Sequence, residues 1–148
     1  MKNNKGFSLV ELIIVIAIMA ILVGVIAPQL IKYIEKSRQA ADIQLCDTVK
    51  TAIVTATSDP AVVTANETCP FNASPKAVTG SAGETKWNKA FTSILGVNDP
   101  TTLLKSTYAK GKTITCVVEN DTQVTVYANG APGIGAGVNT ASIGELPD

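Results

Sequence analysis

Twenty uncharged residues in a row, Leu12 to Ile31, follow directly on a single carboxylate, Glu11. A run of that length matches what a helix needs to cross a bilayer. A helix apolar on every side must bury itself in lipid or in other protein, because no face of it suits water. An ionisable group at the mouth of such a segment is costly and marks a functional site. Lys5 and Gly6 stand just before it, separated from Glu11 by Phe7-Ser8-Leu9-Val10. The chain must therefore be an apolar helix joined to a separate folded part.

Two ordinary explanations account for only part of this pattern. A secretory signal peptide would use Lys2 and Lys5 as its basic start. Its apolar stretch would be unusually long, and Glu11 would be an odd charge to place there. The best small-residue exit, Val25-Ile26-Ala27, is followed by Pro28, which disfavours cleavage. A plain signal anchor, with Lys2 and Lys5 held on the cytoplasmic side, leaves both Gly6 and Glu11 without a reason.

Lys5-Gly6-Phe7-Ser8-Leu9-Val10-Glu11-Leu12 resembles the class III signal of type IV pilins and of the pseudopilins of type II secretion systems. The resemblance is strong over residues 1–57 and only architectural beyond them. It implies that a prepilin peptidase cuts between Gly6 and Phe7 and N-methylates Phe7. Glu11 then matches the family's acid in the fifth position of the mature chain. Ser8 stands where Thr is commoner. On this reading residues 1–6 are a cleaved leader and 7–31 the transmembrane and filament-core half of the helix. Residues 32–148 are its amphipathic half plus a globular α+β head.

The helical pattern continues past the apolar run. Ile31, Ile34, Arg38, Ala41, Leu45, Val49, Ala52 and Ala56 recur at three- and four-residue spacing, the stripe of an amphipathic helix. Lys32, Glu35, Lys36, Gln39, Asp42, Asp47 and Lys50 fall on the other face. Phe7 to Thr57 would make one rod of about 75 Å. Gly24 and Pro28 interrupt it, and proline inside a helix removes a hydrogen bond, so a kink is expected there. The resemblance adds local loss of helical order near Pro28 on packing into a filament.

The remainder predicts an α+β head with a small antiparallel sheet. Ser58 to Gly83 is poor in large apolar residues and is expected to be a long loop. Glu84 to Gly96 places Trp87, Phe91, Ile94 and Leu95 on one face and ends in a glycine stop, so a second short helix is expected. Thr113–Val118 and Gln123–Ala128 alternate and are β-branched, with Glu119-Asn120-Asp121-Thr122 as a polar turn. That is a hairpin signal. A further strand is expected near Thr102 to Tyr108, and an irregular tail from Asn129 to Asp148.

Three cysteines remain, Cys46, Cys69 and Cys116. Outside the cytoplasm one disulfide among them is expected, with one thiol left over. Sequence leaves all three pairings open, and three buried thiols acting as small hydrophobes are the alternative. The family's usual bridge near the C-terminus has no counterpart, because no cysteine follows Cys116.

Chemistry-bearing motifs are few. The chain has no His, the commonest general base and metal ligand, and it lacks CxxC, P-loop and serine-elbow patterns. Gly133-Ile134-Gly135-Ala136-Gly137 lacks the flanks of a phosphate loop and reads as a flexible surface segment. The triplets at Asn66, Asn72 and Asn120 match glycosylation acceptors without weight. Twelve basic and twelve acidic residues balance, and loss of Lys2 and Lys5 leaves the mature chain at −2 before its amine is counted. No nucleic-acid partner is signalled. Catalysis, a metal and a cofactor are therefore not expected.

The resemblance implies a structural subunit of a type IV pilus, for adhesion or twitching motility. Its partners would be copies of itself, a prepilin peptidase, an assembly ATPase and an inner-membrane platform. It would wait in the cytoplasmic membrane and then be drawn into an extracellular filament. The rival reading is a pseudopilin of a secretion or competence system. Major pseudopilins usually carry a calcium-binding acidic loop near the C-terminus, whereas the tail here has only Glu145 and Asp148. A membrane-anchored solute receptor is a third reading, and it would need a sizeable apolar pocket.

Overall fold

A computed structural model describes residues 6–67, 69–71, 76–78, 85–119, 123–137 and 143–145. Lys2, Lys5, the turn residues Asn120, Asp121 and Thr122, and the residues Thr68, Asn72, Ala73 and Ser74 lie outside these. The chain falls into two units, Met1–Lys36 and Ser37–Asp148. The elements are α1 (Leu9–Thr57), α2 (Pro60–Thr64), β1 (Lys76–Ala77), α3 (Lys86–Leu95), a 3-10 turn at Pro100–Leu103, β2 (Ile114–Glu119), β3 (Gln123–Ala128) and β4 (Gly135–Ala136). The architecture is α+β, a long N-terminal helix with a small antiparallel sheet, as the sequence predicts.

α1 remains helical through Gly24 and Pro28. Its first half is rich in Ile and Val, which are mediocre helix formers in water. In lipid, where every backbone group must bond within the segment, the helix is nonetheless the state such residues adopt. The helix ends where Ser58 N–H bonds the carbonyls of Val54 and Thr55. Asp59 then opens α2, its side chain accepting from Ala61 N at 2.8 Å with Pro60 in the first turn, an N-cap followed by the proline that suits that position.

Ser37–Asp148 holds one buried cluster. α1 supplies Cys46, Val49, Ala52, Ile53 and Ala56, and α3 supplies Trp87 and Phe91. On the sheet, Ile114 pairs with Ala128, Cys116 with Val126, and Val118 with Val124, and all six are buried. Alternation puts these three cross-strand pairs on one face. Trp87 stacks on Phe91 at 5.2 Å, meets Phe71 edge-on at 5.5 Å, and donates its indole N–H to Thr57 Oγ1 at 3.2 Å. The N-terminus of α3 is closed twice. Thr85 Oγ1 accepts from Asn88 N, and the Glu67 carboxylate accepts from Lys86 N and Trp87 N. These are first-turn donors that a helix cannot satisfy by itself.

The sheet order is β1-β2-β3-β4, antiparallel throughout. Several expectations are corrected here. The segment from Ser58 is not one loop, because it holds α2 and β1. Thr102 to Tyr108 is not a strand; Pro100 and Asp99 start a 3-10 turn, with Asp99 Oδ1 accepting from Thr101 N and Thr101 Oγ1. The tail is not wholly irregular, since β4 pairs with β3. The glycine-rich stretch is also less of a free surface than expected: Ile134 is fully buried. Gly137 has φ +147°, and a Cβ there would lie 2.5 Å from Thr125 Cα, so glycine is what lets the chain pass close over β3.

Candidate functional site

Every described residue from Gly6 to Ile34 is exposed within the single chain. Ile13, Ile14, Ile16, Ile18, Ile21, Leu22 and Val25 each show half or more of their surface. A contiguous apolar surface of this extent far exceeds what monomers leave in water and marks a membrane or protein contact. Among the described residues, α1 is the one helix long and apolar enough to cross a membrane.

At the mouth of this segment Phe7 is 89% exposed. Glu11 turns back toward the N-terminus, where its Oε2 accepts from Ser8 N at 2.9 Å. This is one half of a capping box, with Ser8 at the cap and Glu11 three residues on. The carboxylate thus lies along the backbone next to the Phe7–Ser8 peptide. Sequence reasoning selected Phe7 and Glu11 but missed this bond, although the Ser-x-x-Glu spacing was there to read.

Two glycines have no steric reason among the described residues. A Cβ built on Gly6 meets nothing among the described residues within 4 Å, and neither does one built on Gly24. Gly24 sits inside a helix, where glycine is about 1 kcal/mol worse than alanine.

In the unit Ser37–Asp148 the three cysteines are buried thiols. Burial and then the charge of Asp42 push the Cys46 thiol from 9.0 up to about 12. Burial and then Cys69 push the Cys116 thiol likewise to about 12. A folded pKa above the unfolded one gives stability that is complete below the unfolded value and lost as pH rises through the folded value. The reduced chain is thus expected to lose thermal stability between pH 9.0 and about 12, more steeply than a Cys46→Ala variant. Parallel melting-temperature profiles for the two would count against the buried Cys46.

Asp42, placed on the polar face by periodicity, is instead 1% exposed. It accepts from Lys105 N at 2.8 Å, from Ser106 N at 2.9 Å and from Ser106 Oγ. An open cleft of about 720 Å³ nearby is lined by Arg38, Thr102, Leu104, Lys105, Thr107 and Lys110. Among the described residues no group of His, Cys, Asp or Glu is placed to hold a metal ion.

Residues 1–27 match the family model of the prokaryotic N-terminal methylation motif. That motif is characteristic of type IV pilin and pseudopilin prepilin signals, and it implies prepilin-peptidase processing and assembly machinery of that general kind. No solved structure matches the chain.

Proposed function

We propose that this chain is a structural subunit of a type IV pilus, cut between Gly6 and Phe7, N-methylated on Phe7 and polymerised through α1. The observation that carries this reading is the methylation motif over residues 1–27, set on a helix whose apolar surface the single chain leaves uncovered. Gly6, where no contact among the described residues calls for a glycine, is the residue read by the peptidase. The cytoplasmic membrane holds the precursor through residues 7–31, and the head lies outside.

Cleavage turns the Phe7 amide into an amine at the edge of an apolar core. Glu11 already points along the backbone toward that end. Between subunits, the amine of an incoming Phe7 meets the Glu11 of an earlier one, and two desolvated charges are neutralised together. A charged side chain at the bilayer centre is penalised by about 2.5–3.5 kcal/mol on insertion scales, so an unmatched register is disfavoured. The isoleucine-rich faces supply the bulk of the attraction. Contacts that repeat head to tail without closing build a helical filament. Gly24 and Pro28 give the place where α1 bends or loosens as neighbours pack. An assembly ATPase and an inner-membrane platform extract the subunit.

The acid-poor tail favours a pilus over a secretion or competence pseudopilus. Electron microscopy of sheared cell surfaces separates the two, since long fibres containing the chain are expected only of the pilus. Processing is tested by intact-mass and N-terminal peptide analysis of protein from native membranes. The mature chain is expected to start at Phe7 with one added methyl group, and Gly6→Val is expected to abolish that form. A native chain that keeps Met1 to Gly6, or starts near Pro28, would refute the proposal.

A further inference from the structure

Of the three pairings that sequence leaves open, the fold brings one together. Cys116 sits on β2 with Lys76 of β1 directly opposite, and directly opposed residues share a face of the sheet. The Lys76 ammonium reaches the Pro70 carbonyl at 3.0 Å, and Pro70 follows Cys69 in the chain. One residue further, the Phe71 carbonyl accepts from Val118 N at 3.2 Å, on the strand that carries Cys116. The segment 69–71 is thus fastened twice beside Cys116, to β1 through Lys76 opposite it and to β2 through Val118 two residues further along. Cys69 and Cys116 belong to the same buried cluster, 6% and 0% exposed.

We infer that Cys69 and Cys116 form the disulfide of the head and that Cys46 is the thiol left over. The electrostatic influence of Cys69 on the Cys116 thiol fits their proximity, whereas the charge acting on Cys46 is that of Asp42 on its own helix. The inference rests on the reading that the head lies outside the cytoplasm, where disulfides persist.

The bond forms by exchange with a disulfide-bearing oxidant, either a thiol oxidoreductase or a small-molecule disulfide. The Cys69 thiol loses its proton and its sulfur attacks the oxidant, releasing one oxidant thiolate. The Cys116 thiol then loses its proton and its sulfur displaces the second oxidant thiolate from Cys69. Two protons and two electrons leave the protein, and the oxidant ends as a dithiol or two thiols. A buried thiol held near 12 is a poor nucleophile, so the exchange belongs to the stage before the core closes. Once made, the bond ties the inner strand β2 to the segment leading into β1.

The test is peptide mapping of the full chain from native membranes, denatured and alkylated without reductant. A linked peptide pair containing Cys69 and Cys116, an alkylated Cys46, and an intact mass lighter by two hydrogen atoms are expected. The Cys46→Ala chain is expected to keep the bond. A bond to Cys46 overturns the inference. If all three cysteines are alkylated, the full chain is unfolded and refolded in detergent with mixed oxidised and reduced glutathione. Exclusive 69–116 pairing there upholds the pair and overturns the location of the head instead. Scrambled pairing, or none, overturns the pair itself.

Discussion

Glu11→Ala is expected to leave the precursor inserted, cut and methylated as in the wild type, while assembled filament falls by ten-fold or more. Two roles of one carboxylate are at stake. Within the subunit Glu11 accepts from Ser8 N, a capping contact worth about 1 kcal/mol at most helix starts. Between subunits it would be the counter-ion of the Phe7 amine. Capping acts on one helix turn and cannot alone decide whether a polymer forms. Glu11→Gln distinguishes the two, because the amide oxygen can still accept from Ser8 N while the charge is gone. Loss of the ion pair at an apolar interface is worth at least about 1.4 kcal/mol per joint, a factor of ten, and every joint in a filament repeats it. Gln is therefore expected to fail nearly as badly as Ala. The measurement is the amount of sheared filament per cell, with the processed subunit in the membrane quantified alongside. Abundant normal fibres from Glu11→Gln would show that capping suffices and that charge pairing does not set the register.

What sequence disclosed and what it hid divide along physical lines. β2 and β3 were legible because Thr113 to Val118 and Gln123 to Ala128 carry their own alternation, and the observed strands Ile114–Glu119 and Gln123–Ala128 match within a residue. β1 and β4, two residues each, have no pattern to read. They are strands only because the edges of β2 and β3 offer unpaired backbone groups. α3 was legible from Trp87, Phe91 and the Gly96 stop, and Gly96 does adopt φ +76°. The N-terminal methylation motif was readable because its signal is local, confined to residues 1–27. The 3-10 turn after Asp99 was missed because Thr102 to Tyr108 has strand-like composition, while side-chain caps on Thr101 decide the backbone. Asp42 was misplaced for a deeper reason. Its partners lie 63 and 64 residues away and two are backbone N–H groups, which any residue at those positions would present.

Asp42→Ala should accordingly be the most damaging single change in the head. The side chain is 1% exposed and gathers Lys105 N, Ser106 N and Ser106 Oγ; that hydroxyl in turn accepts from Ala109 N at 3.1 Å. Removing it strands the two buried donors of Ser106, each penalised by about 1–3 kcal/mol when left unsatisfied, and the half-buried N–H of Lys105. Relaxation and water entry recover part of that, so a net loss of about 3–5 kcal/mol is expected, against a total stability of about 5–15 kcal/mol for a typical domain. Asp42→Asn keeps the shape but turns an amide NH2 toward at least one of these donors, and it should lose less than Ala yet more than a surface substitution. Trp87 is the only tryptophan and lies in the core at 2% exposure, so its fluorescence reports the folding of the head alone. Urea titration of the full chain in detergent should show the Trp87 transition moving to much lower denaturant for Ala, with Asn between Ala and the wild type. A midpoint for Asp42→Ala within about 1 kcal/mol of the wild type would mean that the loop at Lys105–Ser106 is held by its own packing. In that case the buried carboxylate fixes where the loop sits on α1 without holding the head together.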